Sequence, residues 1–260
     1  MTRRVSALLI ANVVLYFLTW PPNVLFNALS LIPAGIVARP WTIITYMFLH
    51  GGFGHLFFNM LALFFFGPRL EARLGGRHFL GLYFAAGITG AVLSLIESFT
   101  PLGSPYTQTV GASGAVFGVM LGFAYYWPRD RIFIWGILPV EARLFVGIMT
   151  ALSLYFGFSG AGGGIAHFAH LGGFLGGWLY LKWMEQRSPA RRFKAKAAAP
   201  VRRNAGGDRA DLKRWERIPR DQLHPVNRDE LDRVIEKIKQ SGIGSLTADE
   251  RAFLDRFAPD

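Results

Sequence analysis

The chain has 260 residues, of which 52% are hydrophobic and none is cysteine, and its formal net charge is +11 at pH 7. The absence of cysteine excludes disulfides, thiol nucleophiles and thiolate metal sites. The charges are uneven, because residues 191–260 hold 17 Lys or Arg and 12 Asp or Glu, against 11 and 5 in residues 1–190. We predict a membrane domain followed by a charged tail, with the basic excess flanking membrane spans and no nucleic-acid partner.

Six apolar segments are predicted to be membrane helices, each of which needs about 20 residues. They lie near residues 5–20, 55–67, 78–97, 113–127, 143–158 and 166–184. Several are short, which indicates helix ends sheltered by loops below the bilayer surface. Ten of the eleven flanking Lys and Arg residues fall on one side of these spans, and Arg39 falls on the other. The positive-inside rule therefore places both termini in the cytoplasm.

With this topology, spans two, four and six all run from the outside to the inside. Four polar side chains lie in their first turns: His55 and Asn59 in span two, Ser113 at the start of span four, and His170 in span six. Polar groups at this depth normally face the protein interior or a water-filled cavity. We therefore predict that the four share one site in the outer half of the bilayer.

Ser113 and His170 are candidates for a nucleophile and its base, because a serine hydroxyl needs a neighbouring base and histidine is the usual one. Their spans would have to touch. Small residues recur every fourth position on both: Gly114, Gly118 and Gly122 on span four, and Gly173 and Gly177 on span six. Such stripes let helix backbones approach closely in lipid. Helix packing without chemistry is the alternative explanation of these glycines.

His55 and Asn59 are spaced i, i+4 and so lie on one helical face. With the backbone N–H of Ser113 at a helix start, they could donate hydrogen bonds to a developing oxyanion. The alternative for His55 and Asn59 is hydrogen bonding between helices. A third, acidic member is not evident, because Glu97 lies near the outer end of span three and the other acids before residue 191 are cytoplasmic by topology. We predict a Ser–His dyad, with Phe117 as the ring that stacks on the histidine.

A metal site is the competing use of the histidines. His167 lies at i−3 from His170, and with His55 the three could supply imidazole ligands to zinc. No carboxylate ligand or base lies nearby, and the HExxH spacing of metalloproteases is absent. We predict neither a metal nor any other cofactor.

These residues together resemble the rhomboid family of intramembrane serine proteases, over residues 1 to about 187. The likeness rests on "GHLFFNM" with His55 and Asn59, "GASGAVFG" with Ser113, and "AHLGGFLGG" with His170. "GPRLEARLGGRHF" and "WGILPVEARLF" are also similar to rhomboid segments. Three motifs in the right order on alternate spans are far more specific than any one of them.

The resemblance implies an all-α, polytopic bundle of six transmembrane helices of the bacterial type, in the inner membrane, with a cytoplasmic C-terminal tail. It implies Ser113 as the nucleophile, His170 as general base and then acid, and His55, Asn59 and the Ser113 N–H as the oxyanion site. His170 is chosen over His167 because glycines follow it by three and seven residues. Membrane lipids would surround the bundle, and the substrates would be transmembrane segments of other proteins, cut near the outer face.

The chain departs from the family pattern in two places. Phe117 stands where some rhomboids carry a tyrosine, so the ring is kept and the hydroxyl is lost. Trp41 is followed by Thr42, where a Trp-Arg pair is frequent, which puts the usual arginine contacts of the loop in doubt. By the same resemblance, residues 21–54 would form a partly embedded outer loop. The glycine-rich residues 156–166 would be a mobile cap or a plain connector.

The tail is predicted to have two parts. Residues 188–228 are basic, rich in Pro and Gly and poor in large apolar residues, which is typical of a flexible linker. Residues 229–260 are predicted to be a small helical hairpin with an apolar face at helical spacing. Thr247 and Glu250 have the spacing of a capping box at the start of its second helix. A unit this small would need to dock on something.

Two other functions remain for comparison. A catalytically silent rhomboid-like binder of membrane clients is expected to lack the serine or the histidine, and both are present. A transporter with a histidine proton relay is expected to carry carboxylates within the membrane. The physiological substrate, the cleavage-site preference, the role of the tail and the oligomeric state are left open.

Overall fold

The computed structural model describes residues 1–134, 136–159, 166–187 and 211–259. The chain divides into two compact units, Met1–Met184 and Glu185–Asp260. The α-helices described in and around the first unit are α1 Arg3–Thr19, α2 Val24–Leu29, α3 Thr42–Thr45, α4 Phe53–Leu74, α5 Gly76–Ser98, α6 Ser113–Tyr126, α7 Ala142–Ser159 and α8 His167–Gln186.

The first unit is a helical membrane bundle. Three of its helices, α4, α5 and α7, are long and apolar enough to cross a bilayer, and α6 is a shorter apolar helix. The six predicted spans correspond in position to α1 and α4 to α8. That α1, α6 and α8 also cross the membrane stays a prediction. At 1.5 Å per residue, the 14 residues of α6 span only about 21 Å, less than the ~30 Å hydrocarbon core.

α6 lies at the centre of the bundle. Ten of its 14 residues are buried, and it contacts α4, α5 and α7. A helix that is apolar on all faces is expected to be enclosed on all faces. α7 is the opposite case, because only Ala142, Val146 and Ser153 are buried among its 18 residues.

Glycines bring α6 and α8 into backbone contact. A Cβ added at Gly118 would lie 3.1 Å from the carbonyl oxygen of Gly173, and one at Gly177 would lie 3.0 Å from the Cα of Gly118. A Cβ at Gly173 would collide with the carbonyl oxygen of Gly114. The predicted role of Gly122 in the contact with α8 is wrong. A Cβ added at Gly122 would meet Leu70 of α4 and Leu82 of α5.

The loop between α1 and α4 holds the start of α6 in place. The backbone N–H of Gly111 donates to the carbonyl of Tyr46 at 2.9 Å, and the Tyr46 hydroxyl donates to the carbonyl of Gly87 on α5 at 2.7 Å. Leu31 and Thr109 pair through two backbone hydrogen bonds. The predicted cap is partly helical, because α7 continues to Ser159, and residues 160–165 lie outside the described residues.

The chain is mostly helical, as predicted, but the connection between α6 and α7 contains a β-hairpin that the prediction did not include. Two antiparallel strands form there, β1 Arg131–Ile134 and β2 Leu138–Glu141, with Arg131 opposite Glu141. The β-branched and aromatic residues of "RIFI" favour a strand, and Gly136 has φ of 72°, which suits the turn. Trp135 lies outside the described residues.

The tail unit has its own core and is larger than predicted. Helix α9, Pro225–Ser241, and helix α10, Ala248–Phe257, pack with the preceding segment, whose Trp215 is only 1% exposed. The prediction of a flexible linker over residues 188–228 is therefore wrong for residues 211–228. It rested on the mostly polar composition of this stretch and overlooked Trp215. Residues 188–210 lie outside the described residues. The capping box of Thr247 and Glu250 is confirmed.

Candidate active site

The serine predicted as a nucleophile is the first residue of α6. Gly111 precedes it with φ of 126°, in the region where only glycine is unstrained, and this turn directs the chain into the helix. The first backbone N–H groups of a helix have no partner within the helix. Ser113 therefore presents two groups at the start of α6: its side-chain hydroxyl and a backbone N–H that has no partner within the helix.

Ser113 and His170 are brought together from two helices. Oγ of Ser113 lies 2.8 Å from Nε2 of His170, across 57 residues of sequence. His170 lies in the first turns of α8 and is buried, and its backbone N–H donates to the carbonyl of Ala166. When the proton of the neutral ring is on Nδ1, the Ser113 hydroxyl donates to Nε2. This is the geometry in which a histidine can remove the proton of a serine.

Phe117 stacks on the imidazole of His170. The ring centroids are 4.1 Å apart, and the planes differ by 17°. Phe174 also contacts the Phe117 ring, with centroids 5.0 Å apart and planes tilted by 53°. Among the residues that the structure describes, no carboxylate forms a hydrogen bond or ion pair with His170. The ring of His170 therefore contacts aromatic rings, those of Phe117 and His167, besides the Ser113 hydroxyl.

His55 lies beside the serine at the level of Gly111. A Cβ added at Gly111 would lie 2.6 Å from Nε2 of His55 and 3.7 Å from Oγ of Ser113. Because Gly111 has no side chain, a small space remains there, and both Nε2 of His55 and Oγ of Ser113 border it. Any residue larger than glycine would fill that space.

Asn59 is buried one turn below His55. Its amide Nδ2 donates to the backbone carbonyl of His55 at 2.8 Å. One of its two N–H bonds is used in this way, and this bond fixes the plane of the amide. The structure brings His55 and Asn59 onto one face of α4, as their spacing predicts.

His50 is a residue that the sequence reasoning missed. It is fully buried, and its ring meets that of His55 edge to face, with centroids 5.0 Å apart. The spacing of five residues in "HGGFGH" is the signal that could have found it. His50 supports the His55 ring from the loop that precedes α4.

His167 has a different neighbourhood from His170. Its ring stacks with Phe156 of α7 at 5.5 Å and meets His170 edge to face at 5.9 Å. Within the described ranges, no group of three or more His, Cys, Asp or Glu side chains is placed to hold a metal ion. The serine and histidine at hydrogen-bond distance in this site are Ser113 and His170.

Comparison with known proteins decides the family. The model of the Rhomboid domain family matches residues 37–187, which is more than half of the chain and includes the whole site. The chain belongs to the rhomboid family. As a rhomboid with apolar spanning helices, it is an integral membrane protein.

Individual rhomboids show the same likeness. Rhomboid protein 1 of Saccharomyces cerevisiae mitochondria is 33% identical over 183 residues, covering 68% of this chain and 51% of the relative. Rhomboid protease GluP of Bacillus subtilis is 36% identical over 139 residues, covering 54% and 25%. RHOMBOID-like protein 4 of Arabidopsis thaliana is 33% identical over 158 residues, covering 57% and 37%. The rhomboid described here thus spans about half or less of the length of these relatives.

The tail matches a second family. Residues 225–259 fit the model described as a family of unknown function (DUF6576). This match begins at the first residue of α9 and omits the segment that carries Trp215. The packed unit therefore begins earlier in the sequence than the matched region does.

Proposed function

We propose that this rhomboid is an intramembrane serine endopeptidase that cleaves transmembrane segments of other membrane proteins near the outer membrane face. The observation that carries the proposal is the 2.8 Å contact between Ser113 Oγ and His170 Nε2 at the start of α6. The Bacillus subtilis relative is named a rhomboid protease, which supports the reaction type.

In the first half of the reaction, Oγ of Ser113 attacks the carbonyl carbon of the scissile peptide bond, and its proton passes to Nε2 of His170. The tetrahedral intermediate then collapses. The C–N bond breaks, His170 gives the proton to the leaving amine, and an ester joins the substrate carbonyl to Ser113.

The oxyanion of the intermediate requires donors placed before the reaction begins. The Ser113 backbone N–H, the His55 ring and the Asn59 amide are the candidates. The position of His55 Nε2 beside Gly111 and the fixed amide plane of Asn59 support this role. The positive end of the α6 dipole adds to the stabilisation.

In the second half, His170 takes a proton from water, and the resulting hydroxide attacks the ester carbonyl. The C–O bond to Ser113 breaks, and Oγ recovers its proton from His170. Water must therefore reach the start of α6. The short length of α6 supports this, because a helix of about 21 Å whose inner end is at the membrane surface begins below the outer one.

Phe117 positions the base in place of an acid. Its stacking fixes the plane of the His170 ring and so aims Nε2 at Ser113. The dyad differs from a Ser–His–Asp triad, in which a carboxylate orients the ring and stabilises the imidazolium.

The membrane arrangement belongs to the same proposal. α1 and α4 to α8 would be the six spans, with both termini in the cytoplasm and the reactive pair in the outer half of the bilayer. The basic residues that flank the inner ends of α4 and α6 support this orientation. A bacterial inner membrane as the location stays a prediction.

The decisive test is proteolysis of a model transmembrane substrate by the full chain in proteoliposomes. Ser113→Ala is expected to abolish cleavage, because among the residues that the structure describes no other hydroxyl is hydrogen-bonded to His170. Ser153→Ala, which alters a buried serine in α7, is the control and should cleave like the wild type. Equal rates for Ser113→Ala and the wild type would refute the protease and leave the silent binder of membrane clients.

The two neighbouring histidines give a second test in the same assay. His170→Ala is expected to lower the rate by about 10³-fold or more, since it removes the base. His167→Ala keeps the dyad and should retain substantial activity. The reverse order would assign the base to His167, and inhibition of the wild type by chelators would favour the metal alternative.

A further inference from the structure

The hairpin of β1 and β2 carries exposed apolar side chains that the proposed protease does not use. Ile137 is 83% exposed, Phe133 59% and Leu138 58%. We call these three residues the apolar tip. Large apolar side chains grouped on an exposed surface mark an interaction site.

The base of the hairpin is fixed to the bundle, so the position of the tip is set by the fold. The backbone N–H of Ala142 donates to the carbonyl of Asp130 at 2.8 Å, and that of Arg143 donates to the carbonyl of Pro128 at 3.0 Å. The carboxylate of Asp130 also pairs with Arg69 on α4. These contacts tie both ends of the hairpin to the inner ends of the spanning helices.

The two faces of the hairpin have different surroundings. Ile132 and Val140 lie opposite each other and are half-buried, and Ile132 packs against the core of the bundle. Phe133 and Pro139 lie opposite each other on the other face and are exposed. The hairpin therefore leans back on the helices, and it does not extend straight away from the membrane.

Charge and continuity indicate what covers the tip. Arg129, Arg131 and Arg143 lie at the base of the hairpin and have exposed side chains, and Arg143 pairs with Glu141 at 2.7 Å. The three arginines outnumber that carboxylate, a pattern that fits anionic lipid headgroups. The apolar surface continues from the hairpin into α7, whose Leu144 and Ile148 are also exposed along a membrane-spanning helix. Because this surface is continuous with the lipid-facing side of a membrane-spanning helix, lipid is the partner expected to cover the apolar tip.

We infer that the hairpin is an interfacial anchor, with the apolar tip inserted at the boundary of headgroups and acyl chains and the arginines of its base on anionic headgroups. It would hold the first turn of α7 at the membrane surface. This matters for α7 because few of its own residues are buried against the bundle.

The absence of native cysteine allows a direct test in the full chain. Ile137→Cys, and separately Leu138→Cys, would be labelled with a polarity-sensitive fluorophore and reconstituted into vesicles of phosphatidylcholine and phosphatidylglycerol. Val226→Cys in the tail unit, where Val226 is 68% exposed, is the control. Because these side chains are exposed, none of the substitutions should disturb folding.

The label at residue 137 or 138 is expected to shift to shorter emission wavelength, to lose fluorescence to brominated lipids and to be protected from aqueous iodide. The label at residue 226 should show the reverse. Iodide quenching at residue 137 as strong as at residue 226 would overturn the anchor. Protection from both quenchers, increasing with the protein-to-lipid ratio, would overturn it in favour of contact between two copies of the chain. Replacing Arg131 by Gln should weaken the lipid quenching in anionic vesicles only.

This assay is independent of catalysis. A chain with Ser113→Ala should give the same quenching pattern as the wild type. Failure of the protease proposal and failure of the anchor can therefore be told apart.

Discussion

The membrane unit and the tail unit are stabilised in different ways. In the membrane unit, α6 and α8 meet through glycines, so backbone lies against backbone, and the contact between Ser113 and His170 lies at the end of that seam. In the tail unit, large side chains form the core, with Trp215 at its centre and ion pairs around Glu250 at its edge. The membrane unit should therefore be most sensitive to substitutions that enlarge a side chain, and the tail unit to substitutions that make one smaller.

The largest effect is expected from adding a methyl group between α6 and α8. Gly173→Ala places a Cβ on the carbonyl oxygen of Gly114, so the helices must separate or shift. A displacement of about 1 Å at a reacting pair can cost about 10²-fold in rate. We therefore expect cleavage in proteoliposomes to fall by about 10²-fold or more.

Gly147→Ala on α7 is the matched control for that substitution, because nothing lies within 4 Å of the added Cβ. It should cleave at the wild-type rate. If Gly173→Ala also did so, the close contact of α6 and α8 would not be what places His170 on Ser113.

The second effect, on stability and not on rate, is expected from emptying the core of the tail. Trp215→Ala leaves a cavity at a fully buried position and should cost about 3–5 kcal/mol of tail stability. Urea unfolding of the tail in the full chain, followed by hydrogen exchange of the peptides from residues 211–259, would measure it. Val226→Ala, at an exposed position, should change stability by no more than about 0.5 kcal/mol. Equal loss in both variants would mean that Trp215 is not part of a cooperative core.

The smallest effect is the pH dependence of the tail. Hydrogen bonds from Lys237, Arg233 and the backbone of Thr247 outweigh the effect of burial and lower the pKa of Glu250 to about 2. A lowered folded pKa stabilises the fold at pH values above the ordinary carboxyl pKa of about 4.3. This stability is fully present above about pH 4.5 and is lost as pH falls toward 2.

Tail stability measured between pH 7 and pH 2 would test this, with Glu250→Gln flattening the acid limb of the profile. Glu236→Gln, which removes an exposed carboxylate from α9, should leave the profile unchanged. An unchanged profile in Glu250→Gln would show that the ion pairs around this residue do not stabilise the tail.

The residues of the candidate site could be predicted because each lies in a short motif at a helix start. Ser113 opens α6, and His170 lies in the first turns of α8, so their shared depth followed from topology alone. Phe117 could be assigned because one helical turn places it beside Ser113. His50 was missed because it precedes α4 in a loop, where no periodicity fixes its direction.

Other features depend on tertiary context. The β-hairpin was missed because the apolar run between the two spans is too short for either a helical or an alternating pattern of apolar residues to be recognised. Trp215 was assigned to a linker because its partners, Leu231 and Leu254, lie far along the chain. Gly122 was assigned to the wrong neighbour because spacing gives a face of a helix but not which helix covers it.

The length of α6 also has a kinetic consequence. If its inner end lies at the cytoplasmic surface, where Arg129 follows it, then its outer end lies about 9 Å beneath the opposite surface. In the proposed reaction, water is the second substrate and would have to cross that depth to reach Ser113. The lifetime of the ester on Ser113 would then depend on the supply of water as well as on the chemistry of the dyad.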